Sequence, residues 1–339
     1  MNRTRAVLLF GPVLAAVVAV LATSAQPAAP AVPVSPAARG VAVHTVGGCQ
    51  VFPANNPWNT RIDDKPVARG SARIVARQAA GHEIHLDLGT VEEYYGIPVT
   101  VAPESQPLLP LRFGVEGENY RDESDTGPVP IPPRAHIEGW RTSRPNPPDG
   151  DRHVITVHQG VCELVELYKA KRVVDDSGEV VAWRASSAAR WSLDSNKLRP
   201  AGWTSADAAG LPILPGLLDY DEAAAGAITH ALRFTLPVAR NGYTYPARHC
   251  GSSRGRTLPA YGMRFRLEKS FSTRPYTGAA KAVVVAMKRY GLMYADQGSS
   301  MYVTGTADPR WSGVLDQLRA HPIDGSKFEV VKPGRITLC

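Results

Sequence analysis

Short alternations of apolar and polar residues, cut off again and again by turn formers, limit this chain more than anything else about it. "GIPVTVA", "HVITVHQ", "CELVELYKA", "VVAWRAS", "AITHALRFTLP", "YGMRFRLEKS", "LMYAD" and "MYVTGT" each run with period two between Gly, Pro, Asn and Asp. The 30 glycines and 29 prolines leave few stretches long enough for a helical core, so many short strands and long loops are expected. Only two segments carry a full helical pattern. "TGAAKAVVVAMKRYG" ends at Gly291 as a C-cap, and "DPRWSGVLDQLRA" opens at Asp308 with Pro309 in the first helical position. "SADAAG" adds one turn at most, capped by Ser205. This pattern predicts a mostly-β fold: an antiparallel β-sandwich, with the jelly roll as one arrangement, and one or two helices near the C-terminus. No repeat and no linker interrupts residues 48–339, which read as a single secreted β-rich domain.

The first residues carry an address. Basic "MNRTR", an apolar run from Ala6 to Ala22 and the small residues of "ATSAQ" read as a signal peptide over residues 1–25. Residues 26–47, rich in Ala and Pro, have too little apolar bulk to offset the entropy of ordering and read as a disordered tether. No later apolar stretch approaches the roughly 20 residues of a membrane span, so the expected product is extracellular, with no membrane contact after signal cleavage. Four cysteines, Cys49, Cys162, Cys250 and Cys339, lack the close C-x-x-C spacing of a zinc site, and two disulfides are expected with three pairings open.

Charge and absent motifs exclude several functions. Of the net charge of +7, Arg3 and Arg5 leave with the signal. The remaining excess is mild and scattered and accompanies no nucleic-acid motif, so no nucleic-acid partner is expected, whereas acidic glycans or an anionic cell wall fit. The chain has no G-x-S-x-G elbow, Walker loop, dinucleotide fingerprint or S-x-x-K, which removes serine hydrolase, nucleotide and nicotinamide chemistry. No cofactor and no metal is assigned.

Titratable residues on apolar strands mark the candidate sites. In "GDRHVITVHQGVCELVELYKA" a two-residue loop at Gln159 and Gly160 would set His153 opposite Glu166, with Asp151 at the open end facing Tyr168. A histidine beside a carboxylate on a buried face suits acid/base work, although a structural ion pair has the same pattern. Glu138 in "AHIEGW" is the carboxylate most readily placed at a cleft. In "HEIHLDLG", His85 and Asp87 share a strand face, where such a pair holds a metal or orients a water. Asp122, Glu123 and Asp125 lack the EF-hand register and read as a solvated loop. Trp191 and Trp203, in a long irregular segment, could stack on sugar rings or simply pin their loop. His230 on its strand, with Arg248 and His249 from "YPARH", completes the proposed substrate-binding set.

"CQVFPANNPWN", "DESDTGPVPIPP", "GDRHVI", "WSLDSNKLRPAGWTSADAAGLPILPGLLDYDE", "YPARH" and "MKRYGLMYADQGS" together resemble a group of secreted bacterial proteins, common in soil actinobacteria and usually labelled hypothetical. The resemblance covers nearly all of residues 49–331 and implies a single secreted domain without carrying over an activity. It also implies the pairs Cys49 with Cys162 and Cys250 with Cys339. Where similar proteins tend to read H-P-D-F-G, this chain reads His85-Leu86-Asp87-Leu88-Gly89. Two readings of function follow. The first is a carbohydrate-active hydrolase or lyase on an extracellular polysaccharide, with Glu138, Asp151, His153 and Glu166 as acid/base candidates. The second is a non-catalytic protein that binds glycans or the cell envelope. Convergence of Glu138, His153, Glu166 and His230 on one pocket separates them.

Overall fold

The computed structural model describes residues 43–339 except 91, 92, 94, 142 and 145. The signal peptide and the tether as far as residue 42 therefore lie outside the described residues. Val43 to Gly47 are part of the fold: Thr45–Val46 pairs with Cys49–Gln50, and His44 is buried.

Strands dominate, in agreement with the alternating pattern. A six-stranded sheet runs in the order Phe328–Val330, Arg264–Leu267, Leu292–Gln297, Leu232–Leu236, Tyr302–Ala307 and His85–Gly89. A four-stranded sheet runs Ser187–Ser192, Glu163–Tyr168, Val154–His158 and Val99–Ala102. Pairing is not uniformly antiparallel, which corrects the expectation from sequence. Leu232–Leu236 runs parallel to Leu292–Gln297, Tyr302–Ala307 to His85–Gly89, and Val99–Ala102 to Val154–His158. Parallel neighbours need a long crossover, and between Leu236 and Leu292 it carries the strand Arg264–Leu267 and the helix Gly278–Arg289.

Helices are not confined to the C-terminal end either. Ser71–Gln78 and Tyr220–Ala224 precede the two expected ones, Gly278–Arg289 and Ser312–Ala320. Both expected termini form as read. Gly291 lies at φ +70° beyond the first helix, a position where a side chain would strain. The Asp308 carboxylate accepts from the Arg310 N–H at 2.8 Å, and one 3-10 turn at Pro309–Trp311 leads into the second helix. Around Ser205 no helix forms; its hydroxyl accepts from the Asp207 N–H at 3.0 Å in a turn.

The four-stranded sheet is buried on both faces. Ile155, Val157, Leu164 and Ala189 enter the main core, while Val154, Val165, Leu167 and Ala188 pack with Trp183 in a second. Its hairpin does not have the two-residue loop. His158 pairs with Glu163, Val157 with Leu164 and Ile155 with Glu166, so Gln159 to Cys162 form a four-residue loop. Cys162 sits at φ +45° in that loop and is bonded to Cys49, and the pairing is displaced by two residues along the second strand. The faces stay as expected, because a shift of two in the paired sum keeps strand parity. The second disulfide joins Cys250 to Cys339. No helix among the described residues is long and apolar enough to cross a membrane.

Candidate functional site

Alternation in the six-stranded sheet sorts its residues into two faces. Leu232, Phe234, Leu292, Tyr294 and Val303 lie in the core. The opposite face presents Arg233 and Thr235, and register carries it across neighbouring strands to Tyr302, Thr304 and Asp87. Asp296 joins this face through an irregularity. Phe234 pairs with Tyr294, yet Thr235 pairs with Asp296, so Ala295 is skipped. In a regular strand Asp296 would point with Tyr294 into the core. The bulge turns it to the polar side.

These residues form one wall of a cavity of about 280 Å³, and Glu138, Asp151 and His153 form another. Asp151 is exposed at the rim, whereas His153 is 4% exposed. Between them Arg152 lies at φ +48°, a left-handed position disfavoured for a non-glycine residue. It is held there by its buried guanidinium, which donates to Glu116 at 2.9 Å and to the Pro148 carbonyl at 3.0 Å.

Glu138 and His153 hold each other. The Glu138 N–H donates to the His153 carbonyl at 2.9 Å. The His153 N–H and its Nδ1 reach Glu138 Oε2 at 3.1 and 2.6 Å, and Nε2 lies 3.2 Å from the Ala206 carbonyl. Both ring nitrogens thus face acceptors, which requires a doubly protonated ring. Burial disfavours that charge, but the Glu138 carboxylate outweighs it and lifts the imidazole to about 10. The same pairing, against burial, holds Glu138 below the ordinary carboxylate range. At neutral pH this is an ion pair, and His153 is not a free base.

Two other carboxyls behave oppositely. Burial pushes Asp296 up to about 7, with the Asp207 charge adding to it and Arg233 opposing. Burial likewise lifts Asp87 to about 6, although the Gly96 N–H donates to it at 3.1 Å. Beneath them Arg233 forms a two-pronged pair with fully buried Asp207, Nε to Oδ2 at 3.0 Å and Nη2 to Oδ1 at 2.5 Å, and donates to Thr304 Oγ1 at 2.6 Å. Near neutral pH the cavity therefore holds Glu138 ionised beside Asp296, which still keeps part of its proton, a division seen where one group must give a proton and another must not. No family model, curated protein or solved structure matches this chain.

The sequence-derived site divides, and of the four residues whose convergence would favour catalysis over binding only Glu138 and His153 meet. Glu138, Asp151 and His153 meet in the cavity. Glu166 lies apart from it, fully buried, its carboxylate accepting from the Ile213 and Leu214 N–H groups at 2.9 Å. His230 also lies elsewhere, with Nε2 2.9 Å from Glu222. Arg248 donates to the Arg199 carbonyl at 2.8 Å, and His249 Nδ1 contacts the Ala208 carbonyl at 2.8 Å. Trp191 and Trp203 both lie against the Arg199 guanidinium, 5.5 and 5.4 Å from the ring centres, so an arginine covers one face of each ring. Neither Arg233 nor Asp296 stands out in the sequence as a site member. Arg233 and Thr235 alternating against Leu232, Phe234 and Leu236 was the available signal; Asp296 had none, since the bulge reverses its parity.

Glu166 makes a pH prediction. Burial, against the two N–H donors, lifts its carboxyl from 4.5 to about 7. The folded chain therefore holds this proton more tightly than the unfolded chain. Stability from this group is complete below about pH 4.5 and declines by up to about 3 kcal/mol as pH rises to about 7. Glu166→Gln keeps an acceptor oxygen and removes the proton, so its urea stability is expected to lose that decline between about pH 4.5 and about pH 8. An unchanged slope in the variant overturns the assignment.

Proposed function

We propose that this protein is a secreted glycan hydrolase that cleaves a glycosidic bond in an extracellular polysaccharide by acid/base catalysis. The observation that carries the reading is the opposed ionisation of carboxyls in one cavity: Asp296 pushed up to about 7 and Glu138 held low by His153. Asp296 donates a proton to the leaving oxygen, and Glu138 acts as the ionised partner, as nucleophile or as base toward water. Asp87 and Tyr302 bind hydroxyls on the same wall. The polar lining favours a hydroxylated substrate over an apolar one. Export follows from the leader read in the sequence and agrees with two formed disulfides.

Hydrolysis fits better than elimination. A lyase has to neutralise the uronate carboxylate, and of the cations lining this cavity Arg233 gives both prongs to Asp207 while His153 is paired with Glu138. A screen of plant, fungal and bacterial polysaccharides is expected to yield new reducing ends without unsaturated uronates, and Glu138→Gln is expected to lower the rate at least about 100-fold. Equal rates in the variant, or unsaturated products, overturn the assignment. Retention of the inert protein on a polymer would move the reading to glycan binding.

A further inference from the structure

Away from the cavity, His44, Glu222 and His230 bring their ligand atoms within 4.8 Å of one another. They come from three parts of the chain. His44 precedes Thr45–Val46, Glu222 is on the helix Tyr220–Ala224, and His230 stands just before the strand Leu232–Leu236. His44 and His230 are 4% and 0% exposed.

Two facts about protons single this cluster out. His230 Nδ1 lies 2.9 Å from the Ala231 carbonyl, which can only accept, so Nδ1 carries the hydrogen. In the neutral ring the Nε2 lone pair then points at Glu222 Oε2, 2.9 Å away. Two lone pairs at that distance need a cation between or beside them. A proton on Nε2 would answer for His230, but not for His44, whose buried Nδ1 has no hydrogen-bond partner. The His44 ring lies against that of His230, centroids 4.4 Å apart, so His44 sits beside the His230–Glu222 pair. One metal ion answers for both histidines.

We propose that His44, His230 and Glu222 bind one divalent transition metal, zinc by preference. Two imidazoles and a carboxylate form a borderline donor set suited to zinc, with water in the fourth position. The backbone bond at His230 Nδ1 is the kind of outer contact that fixes a ligating tautomer. Tetrahedral coordination at Zn–N distances of about 2.0–2.1 Å sets ligand atoms roughly 3.3 Å apart. A turn of the His44 ring out of its stack closes the remaining gap. Bound there, the ion clips His44 to the helix Tyr220–Ala224 and to the residue just before a central strand, while its fourth position stays open to water.

The test uses the full mature chain, stripped with a chelator and titrated with Zn(II) and separately with Co(II). One ion per chain is expected, with the visible bands of tetrahedral Co(II) and a melting temperature that rises with metal concentration. His44→Phe preserves the ring stack, and Glu222→Gln lies on a partly exposed helix position; each is expected to weaken binding on the order of 100-fold. Binding that survives both variants, or that is no tighter than about 0.1 mM in the parent, overturns the proposal.

Discussion

Asp296→Asn is expected to lower kcat roughly 100- to 10,000-fold on whichever polysaccharide the parent cleaves, the usual contribution of a positioned proton donor. Asparagine keeps the oxygen that accepts from the Gln297 N–H at 2.6 Å and gives up only the longer bond from the Ala208 N–H at 3.3 Å, so the variant is expected to fold. A pH profile distinguishes donor from bystander. The parent needs Asp296 protonated, so its rate should fall as pH rises through about 7, and at the acid end it should fall only once Glu138, held low by His153, takes up a proton. Loss of the alkaline limb in Asp296→Asn supports the assignment. If Asp87→Asn removes that limb while Asp296→Asn keeps it, Asp87 is the donor.

The second large effect is on stability. Arg233→Met leaves Asp207 charged and fully buried without its partner, and breaking a buried pair this way costs about 3–5 kcal/mol. Against a typical stability of about 5–15 kcal/mol, the variant is expected to unfold at far lower urea. Exchanging both members, as in Arg233→Met with Asp207→Leu, removes the stranded charge and is expected to recover much of the loss. If the single variant unfolds at the parent's urea midpoint, the pair does not hold the floor of the cavity.

Much of this fold can be read along the chain, and the gaps have physical causes. Alternation located most strands of both large sheets, since burying one face leaves a mark at every second residue, but it missed the edge strands Phe328–Val330 and Ser187–Ser192. Pairing direction leaves no such mark, and the parallel neighbours came as a correction. The helix Ser71–Gln78 buries Ser71, Ile74, Val75 and Gln78 at helical spacing, but two of the four are polar and Gly70 offers no side-chain cap, so the apolar stripe was diluted. His153 with a carboxylate was foreseen, and the partner was Glu138 from a loop, not Glu166 across the hairpin. Loop contacts over 15 residues are invisible to any strand register. Asp87 was marked by its H-x-D spacing and lies in the cavity.

The double link between Glu138 and His153, backbone to backbone and side chain to both ring and backbone, bears on how such a cavity would work. The two residues cannot move independently. The field around the carboxylate is thus fixed when the chain folds, and the entropy of arranging it is lost then, before any substrate arrives. A reaction passing through this cavity would meet dipoles already oriented and would pay little reorganisation energy as charge shifts, which is the condition under which electrostatic stabilisation is strongest.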